Sequence, residues 1–114
     1  MKRILLKLSG EALAGAEKKG FDEATVIAVA KQIRAVAEEG TQIGIVIGGG
    51  NFWRGRTSET INRNKADQIG MLATVMNCIY VSDICRYLGL KTEIFTPFVC
   101  CLLYTSPSPR DGLL

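Results

Sequence analysis

Apolar residues occur along this chain in two patterns, short continuous runs and longer stretches at helical spacing. The runs at 2–9, 41–47 and 91–95 predict three strands, the first of them buried on both faces. The stretches at 22–40 and 65–88 predict two helices. Because strands alternate with helices, we expect an α/β fold with a parallel sheet and helices on both of its faces.

The ends of the predicted helices carry residues that commonly start and stop helices. Asp22 is the expected N-cap of the first helix, and Gly40 is the expected residue after its last turn. Gly89 ends the second helix in the same way. Residues 10–21 and 56–64 are rich in glycine or polar side chains and are predicted loops.

The composition indicates a single soluble domain. The chain has 114 residues, of which 47% are hydrophobic and 22% are charged, and this excludes disorder as its general state. The longest strongly apolar run, at 43–47, is much shorter than the roughly 20 residues of a membrane-spanning helix. The apolar run near the N-terminus is too short for a signal peptide, so we expect a cytoplasmic protein without a membrane partner.

Charge and residue content exclude several kinds of chemistry. The chain has 14 basic and 11 acidic residues, a net charge of +3, and no basic stripe, so we expect no nucleic-acid partner. It contains no histidine, which excludes a histidine base or a histidine-bound metal, and no metal site is expected. The cysteines form no C-x-x-C pair and are expected to be small packing side chains: Cys78, Cys85, Cys100 and Cys101.

A triple glycine is the strongest local signal for function. Gly48, Gly49 and Gly50 follow the second predicted strand directly. Glycines let the backbone turn sharply and approach a ligand, and free N–H groups then hold a phosphate or carboxylate. A plain turn needs only one glycine, so the run favours an anion site. The P-loop pattern and the dinucleotide-binding G-x-G-x-x-G pattern are both absent.

Basic residues accompany the predicted anion site. Lys7 and Gly10 lie at the carboxyl end of the first strand, which a parallel sheet brings to the same edge as the triple glycine. Lys7 has two interpretations, a buried ammonium with an anionic partner or an exposed lysine on an edge strand. Arg54 is a candidate bidentate phosphate ligand. Arg56 and Arg63 are interpreted as solvated loop residues.

Asp67 lies near the start of the second predicted helix and has two open interpretations. Its carboxylate is favourable near a helix N-terminus because of the helix dipole. It is equally a suitable acceptor for the hydroxyl groups of a ribose. The residue type and its position do not separate these interpretations.

The end of the chain differs from the rest. The segment CLLYTSPSPRDGLL has no regular period, and its prolines oppose helix and strand. We therefore expect residues 1–99 to form part of a domain and 100–114 to be a non-native or disordered tail, with a natural flexible C-terminus as the alternative. A sheet that stops after about three strands leaves an exposed edge, so we expect a truncated chain.

Three segments together resemble one enzyme family. KRILLKLSGEAL at 2–13, IVIGGGNFWRG at 45–55 and ADQIGMLATVMN at 66–77 are similar to the N-terminal half of the bacterial UMP kinases (uridylate kinases) of the amino acid kinase superfamily. The similarity extends from residue 1 to about residue 99. The resemblance implies a partial parallel sheet of the αβα sandwich found in that superfamily.

The resemblance implies phosphoryl transfer from MgATP to UMP, giving ADP and UDP in pyrimidine nucleotide biosynthesis. Carried over by motif, it implies contacts with ATP from a set of residues near the first two strands: Lys7, Leu8, Ser9, Gly10, Gly50 and Arg54. It implies UMP contacts from Gly49 and Asp67, and catalytic roles for Lys7 and Arg54. The family's second half carries further parts of both sites, so we expect this chain alone to be inactive.

The resemblance implies a homohexamer for the full-length parent, activation by GTP and inhibition by UTP. One alternative is another superfamily member acting on a carbamate, acyl or isopentenyl phosphate, which the helix carrying Asp67 argues against. A second is a non-catalytic nucleotide- or anion-binding protein on the same scaffold, against which Lys7 and Arg54 argue. A purely structural α/β module leaves the triple glycine unexplained.

Overall fold

The computed structural model describes residues 2–53 and 60–96. Two strands and two α-helices alternate along these residues, with two short 3-10 helices between the first strand and the first α-helix. In chain order they are β1 (Arg3–Leu8), the 3-10 helices (Gly10–Leu13 and Gly15–Glu17), α1 (Glu23–Ala37), β2 (Gln42–Ile47) and α2 (Arg63–Tyr87). The predicted loop at 10–21 therefore contains local helical structure that its glycine-rich composition did not indicate.

The sheet of the described residues consists of β1 and β2, which pair in parallel from Arg3↔Gln42 to Leu8↔Ile47. This confirms the α/β class and the parallel pairing. The prediction of a third strand at 91–95 is wrong, because these residues pair with no strand in the described part of the chain. Thr92 is instead held against the end of α2, where Arg86 donates hydrogen bonds to its hydroxyl and carbonyl oxygens.

One face of the sheet is packed and the other is open. The packed face carries Ile45 and Ile47, which lie against a core formed by buried residues of β1, the first 3-10 helix, α1 and α2: Leu8, Leu13, Val26, Ala30, Val81 and Cys85. The other face carries Leu5, which is 74% exposed, and Val46, which is 51% exposed. Within residues 2–53 and 60–96 both helices pack on the same face of the sheet, so the second predicted helical layer is not found in this part of the chain. The first strand is open on its other face, contrary to the prediction that it is fully buried.

Three predicted helix boundaries agree with the structure, whereas α2 begins at Arg63, two residues before its predicted start and within the predicted loop at 56–64. Asp22 is the N-cap of α1, and its carboxylate accepts a hydrogen bond from the backbone N–H of Thr25 at 3.1 Å. Gly40 and Gly89 follow the two helices with φ values of +88° and +93°, a region that favours glycine. Local capping preferences alone were sufficient to locate these three boundaries.

The second helix is longer than a typical globular helix. At 25 residues, α2 is the one described helix that is long and apolar enough to cross a bilayer by length and composition alone, which the sequence analysis did not anticipate. A core helix of a soluble protein passes the same test, so one such helix is weak evidence for a membrane protein. Val81 and Cys85 place one side of α2 in the core.

Candidate phosphate-binding site

The candidate site lies at the carboxyl ends of β1 and β2, where two glycine-containing loops touch. A Cβ added to Gly10 would lie 2.6 Å from Oδ1 of Asn51 and 2.7 Å from the backbone nitrogen of Gly50. Since real Cβ atoms essentially never make contacts below 3.0 Å, only glycine at position 10 lets the loop after β1 lie this close to the triple glycine. The two loops that the parallel pairing brings together thus form one structural unit.

A cleft of about 290 Å³ opens beside this unit. Its lining includes most of the residues predicted to contact ATP: Lys7, Leu8, Ser9, Gly10 and Gly50. Glu11 also lines the cleft and was not singled out by the sequence analysis. The volume is at the lower end of the range for small-molecule sites, as expected for part of a larger site.

Backbone amides supply hydrogen-bond donors at this edge of the sheet. Within the described residues, the N–H groups of Gly10, Gly49 and Gly50 make no hydrogen bond, whereas that of Gly48 donates to the carbonyl of Leu8 at 3.2 Å. Clustered amides without a protein acceptor are the usual donors for a phosphate group. The loops therefore offer polar contacts that require no charged side chain.

Lys7 provides a positive charge at the cleft. Its side chain is exposed, and it forms no ion pair among residues 2–53 and 60–96. This agrees with the edge-strand interpretation and not with a buried ammonium that has an anionic partner. Because no carboxylate of the described residues forms an ion pair with the Lys7 ammonium group, this group can pair with an anionic ligand.

The neighbouring predicted ATP residues have structural tasks as well. Leu8 belongs to the core, and the Ser9 hydroxyl accepts a hydrogen bond from the N–H of Ala12 at 3.3 Å and so caps the first 3-10 helix. With both side chains engaged in this way, we expect Leu8 and Ser9 to serve a ligand mainly through the backbone.

Gly49 and Asp67 lie away from this cleft, towards α2. A Cβ on Gly49 would lie 3.0 Å from the Gly70 carbonyl oxygen and 3.1 Å from the backbone nitrogen of Thr74, so the triple glycine packs directly on the helix. Positions 67, 70 and 74 share one helix face at helical spacing. Asp67 is exposed one turn before this contact, within α2 and not at its start, because the helix begins at Arg63.

Several predicted residues lie outside the described part of the chain. These include Arg54, proposed from the sequence as a catalytic and ATP-binding residue, and Arg56. Cys100, Cys101 and the predicted tail at 100–114 also lie outside it. Of the other cysteines, Cys85 is in the core and Cys78 is half-buried, which agrees with a packing role, and burial raises the pKa of both thiols.

A pair of buried asparagines escaped the sequence analysis. Asn51 is 3% exposed and Asn77 is fully buried, and their side-chain amides hydrogen-bond to each other. Asn77 lies at helical spacing between the buried residues Ala73 and Val81. A polar amide within an apolar helical stripe was therefore the sequence signal that indicated this contact.

Comparison with known proteins gives the context of these features. Uridylate kinase from Fervidobacterium nodosum is 48% identical to this chain over 98 residues, covering 86% of the chain and 42% of the relative. Uridylate kinase from Streptococcus thermophilus is 50% identical over 97 residues, covering 83% and 40%. The chain thus spans about two fifths of the length of these curated relatives.

Solved structures show the same fold. The crystal structure of UMP kinase from Ureaplasma parvum matches with a TM-score of 0.82 and 30% identity, over 90% of this chain and 46% of that one. UMP kinase from Bacillus anthracis matches with a TM-score of 0.70 and 38% identity, over 75% and 36%. The profile of the amino acid kinase family matches residues 2–110, so the chain belongs to the amino acid kinase family.

Proposed function

We propose that this chain supplies part of the active site of a UMP kinase, which transfers the γ-phosphoryl group of MgATP to UMP and releases ADP and UDP. The observation that carries the proposal is the cleft in which Lys7 lies beside the glycine loops of β1 and β2. The choice of UMP as the substrate in this proposal comes from the names of the relatives and of the matching structures. Since the chain spans about two fifths of these relatives, the activity is proposed for a protein of their length.

The chemistry of the cleft suits phosphoryl transfer. This reaction needs the phosphates held in line and their charge neutralised, with little covalent work by the protein. In the proposal, Lys7 and the amides of Gly10 and Gly50 hold the phosphates of ATP, with Mg²⁺ arriving as part of the MgATP substrate. In the same proposal, Arg54 contacts both the γ-phosphate of ATP and the phosphate of UMP that accepts it.

The acceptor nucleotide is proposed to lie on the α2 side of the triple glycine. Gly49 separates the ATP cleft from α2, and Asp67 lies one helical turn before the point of contact. In the proposal, the Gly49 backbone contacts UMP and the Asp67 carboxylate accepts hydrogen bonds from its ribose. This arrangement puts donor and acceptor on the two sides of one loop.

Further properties are proposed from family membership. They are a cytoplasmic location, a homohexamer, activation by GTP and inhibition by UTP. Sedimentation of the full-length protein tests the hexamer, and initial rates with each added nucleotide test the two effectors.

The proposed activity is tested in a chain completed with the C-terminal portion of the Fervidobacterium nodosum relative. ADP formation from MgATP should depend on UMP, and Lys7→Ala should lower kcat by about 10²–10³-fold, the usual loss for one donor to the transition state. Lys31→Ala is the matched control, because it removes an exposed lysine from α1. Turnover that is independent of UMP, or equal losses in both variants, would refute the proposal.

The nucleotide assignment of Asp67 has its own control on the same helix. Asp67→Asn should raise KM for UMP at least tenfold, since a hydrogen bond to a charged group contributes about 1.5–3 kcal/mol. Asp83→Asn changes an exposed carboxylate elsewhere on α2 and should leave KM unchanged. If both substitutions have the same small effect, Asp67 serves the helix and not the ribose.

A further inference from the structure

The two buried asparagine side chains form a complete hydrogen-bonded pair. The Nδ2 group of Asn77 donates to Oδ1 of Asn51 at 2.8 Å, and Nδ2 of Asn51 donates to Oδ1 of Asn77 at 3.1 Å. The remaining hydrogens go to backbone carbonyls, from Asn77 to Gly48 at 2.6 Å and from Asn51 to Gly20 at 2.9 Å. All four N–H bonds of the two amides are therefore used.

The backbone partners determine how both amides are oriented. The carbonyl oxygens of Gly48 and Gly20 only accept hydrogen bonds, so the nitrogen of each side-chain amide must face them. Each amide oxygen then faces the nitrogen of the other asparagine. Asparagine supplies the required donors and acceptor in one short planar group, which neither leucine nor aspartate does.

The pair joins three parts of the chain that meet at the candidate site. Asn77 holds α2 to the first glycine of the triple glycine. The Gly20 N–H donates to the backbone carbonyl of Asn51 at 2.9 Å, so Gly20 and Asn51 are joined by two hydrogen bonds. Oδ1 of Asn51 also lies 2.6 Å from the position that a Cβ on Gly10 would take.

The position of the triple glycine depends on these contacts because its residues have no side chains of their own. Gly48 is fixed by its N–H bond to Leu8 on one side and by the Asn77 amide on the other. The next two residues, Gly49 and Gly50, carry N–H groups that make no hydrogen bond within residues 2–53 and 60–96. A loop held at its first residue presents these groups in a fixed arrangement and needs less reorganisation when a ligand binds.

We propose that Asn77, together with Asn51, is a positioning residue that holds the triple-glycine loop in the conformation that binds the phosphates of ATP. This inference rests on the proposed function for the identity of the ligand. A buried polar pair costs desolvation that an apolar pair avoids, and it is stabilising only when every group is paired. The complete pairing and the direct bond to Gly48 distinguish this pair from ordinary core packing.

Aspartate and leucine at position 77 separate positioning from packing. An ionised aspartate side chain at this position cannot donate to the Gly48 carbonyl, whereas a protonated one can, and burial beside a carbonyl oxygen raises the pKa of such a carboxyl. The groups hydrogen-bonded to position 77 are the Gly48 carbonyl and the Asn51 amide, neither of which titrates. Asn77→Asp should therefore recover its function at acidic pH, whereas Asn77→Leu should not.

The experiment measures MgATP affinity and hydrogen-exchange protection of the loop in the chain at about pH 8 and about pH 5.5. At the higher pH, both variants should bind MgATP about tenfold more weakly, as expected for a lost bond to a buried carbonyl, and the N–H groups of Phe52 and Trp53 should lose about tenfold in protection factor. At the lower pH, Asn77→Asp should return towards the wild-type values.

The control is Asn64→Asp, which makes the same change on an exposed asparagine of α2 and should alter neither property. The inference would be overturned if Asn77→Asp and Asn77→Leu had equal MgATP affinities and equal protection factors at both pH values. It would also be overturned if the protection factors of Phe52 and Trp53 were unchanged in either variant at the higher pH. If the wild type does not bind MgATP even in the chain completed with the C-terminal portion of the Fervidobacterium nodosum relative, that result counts against the proposed function, and the exchange data alone then decide whether Asn77 positions the loop.

Discussion

Replacing Gly10 by alanine gives the sharpest test of how the two loops fit together. The new Cβ would lie 2.6 Å from Oδ1 of Asn51, 2.7 Å from the nitrogen of Gly50 and 2.8 Å from the oxygen of Gly48. Ordinary van der Waals contact begins at 3.4 Å, so the loops must separate by about 0.6–0.8 Å. Two of these atoms belong to the backbone, and the Asn51 side chain is held by its buried hydrogen bonds, so none of them moves away freely.

Two opposing effects determine the size of the change. Overpacking of a close contact costs about 1–3 kcal/mol. Alanine also restricts the unfolded chain, which stabilises the folded state by about 0.4–1 kcal/mol where the backbone permits it, as it does at Gly10 because its φ is not positive. Together the two effects span a loss of about 0–2.6 kcal/mol. Because three contacts would be too close at once, we expect the free energy of unfolding to fall by about 1–2 kcal/mol.

Urea unfolding followed by circular dichroism measures this change, with Gly44→Ala as the matched control. A Cβ on Gly44 would meet only the end of the Leu5 side chain, at 3.4 Å, and the Ile4 carbonyl, at 3.9 Å. The control should have unchanged or slightly higher stability. If Gly10→Ala is as stable as Gly44→Ala, the loops are not packed as described and the steric argument is refuted.

Three further predictions concern separate parts of the fold. Asp22→Ala removes the hydrogen bond from the Thr25 N–H and should lower the free energy of unfolding by about 0.5–2 kcal/mol in the same urea assay. Asp22→Asn keeps a hydrogen-bond acceptor and should lower the free energy of unfolding much less. The Cβ of Gly49→Ala would contact the backbone of α2 at 3.0–3.1 Å, so this variant should separate the triple glycine from the helix. Its KM for UMP in the completed chain should therefore rise, and an unchanged KM would contradict this packing. Burial raises the pKa of the Cys85 thiol, so the unfolded chain loses this proton first as the pH rises. The stabilising effect of the neutral thiol is thus complete below about pH 9 and is lost as the pH rises above it. In urea unfolding across this range, the free energy of unfolding of Cys85→Ala should fall less with rising pH than that of the wild type.

Features that depend on neighbouring residues were predictable from the sequence. Asp22, Gly40 and Gly89 mark helix ends because capping depends on the local backbone and on nearby N–H and C=O groups. The position of the triple glycine after β2 followed from its place in the sequence. Parallel pairing then followed from the alternation of strands and helices, and it brought Lys7 to the same edge.

Features that depend on distant residues were not predictable. The apolar run 91–95 has the composition of a strand, but a strand requires a partner, and Thr92 is bonded to the end of α2 instead. Leu5 belongs to a continuous apolar run, yet it is exposed because no described helix covers its face of the sheet. Asn77 interrupts the apolar stripe of α2, and this spacing indicates a buried amide, but its acceptor, the Gly48 carbonyl, is known only from the fold.

Binding of the phosphates of ATP by the glycine loops is the central claim for this chain. Titration of the ¹⁵N-labelled chain with MgATP, followed by the amide resonances, tests this claim without requiring turnover. The largest saturable shifts should occur at Gly10, Gly49 and Gly50, and Lys7→Ala should weaken binding whereas Lys31→Ala should not. Saturable shifts elsewhere that leave these three amides unchanged, or no saturable shift at all, would contradict it.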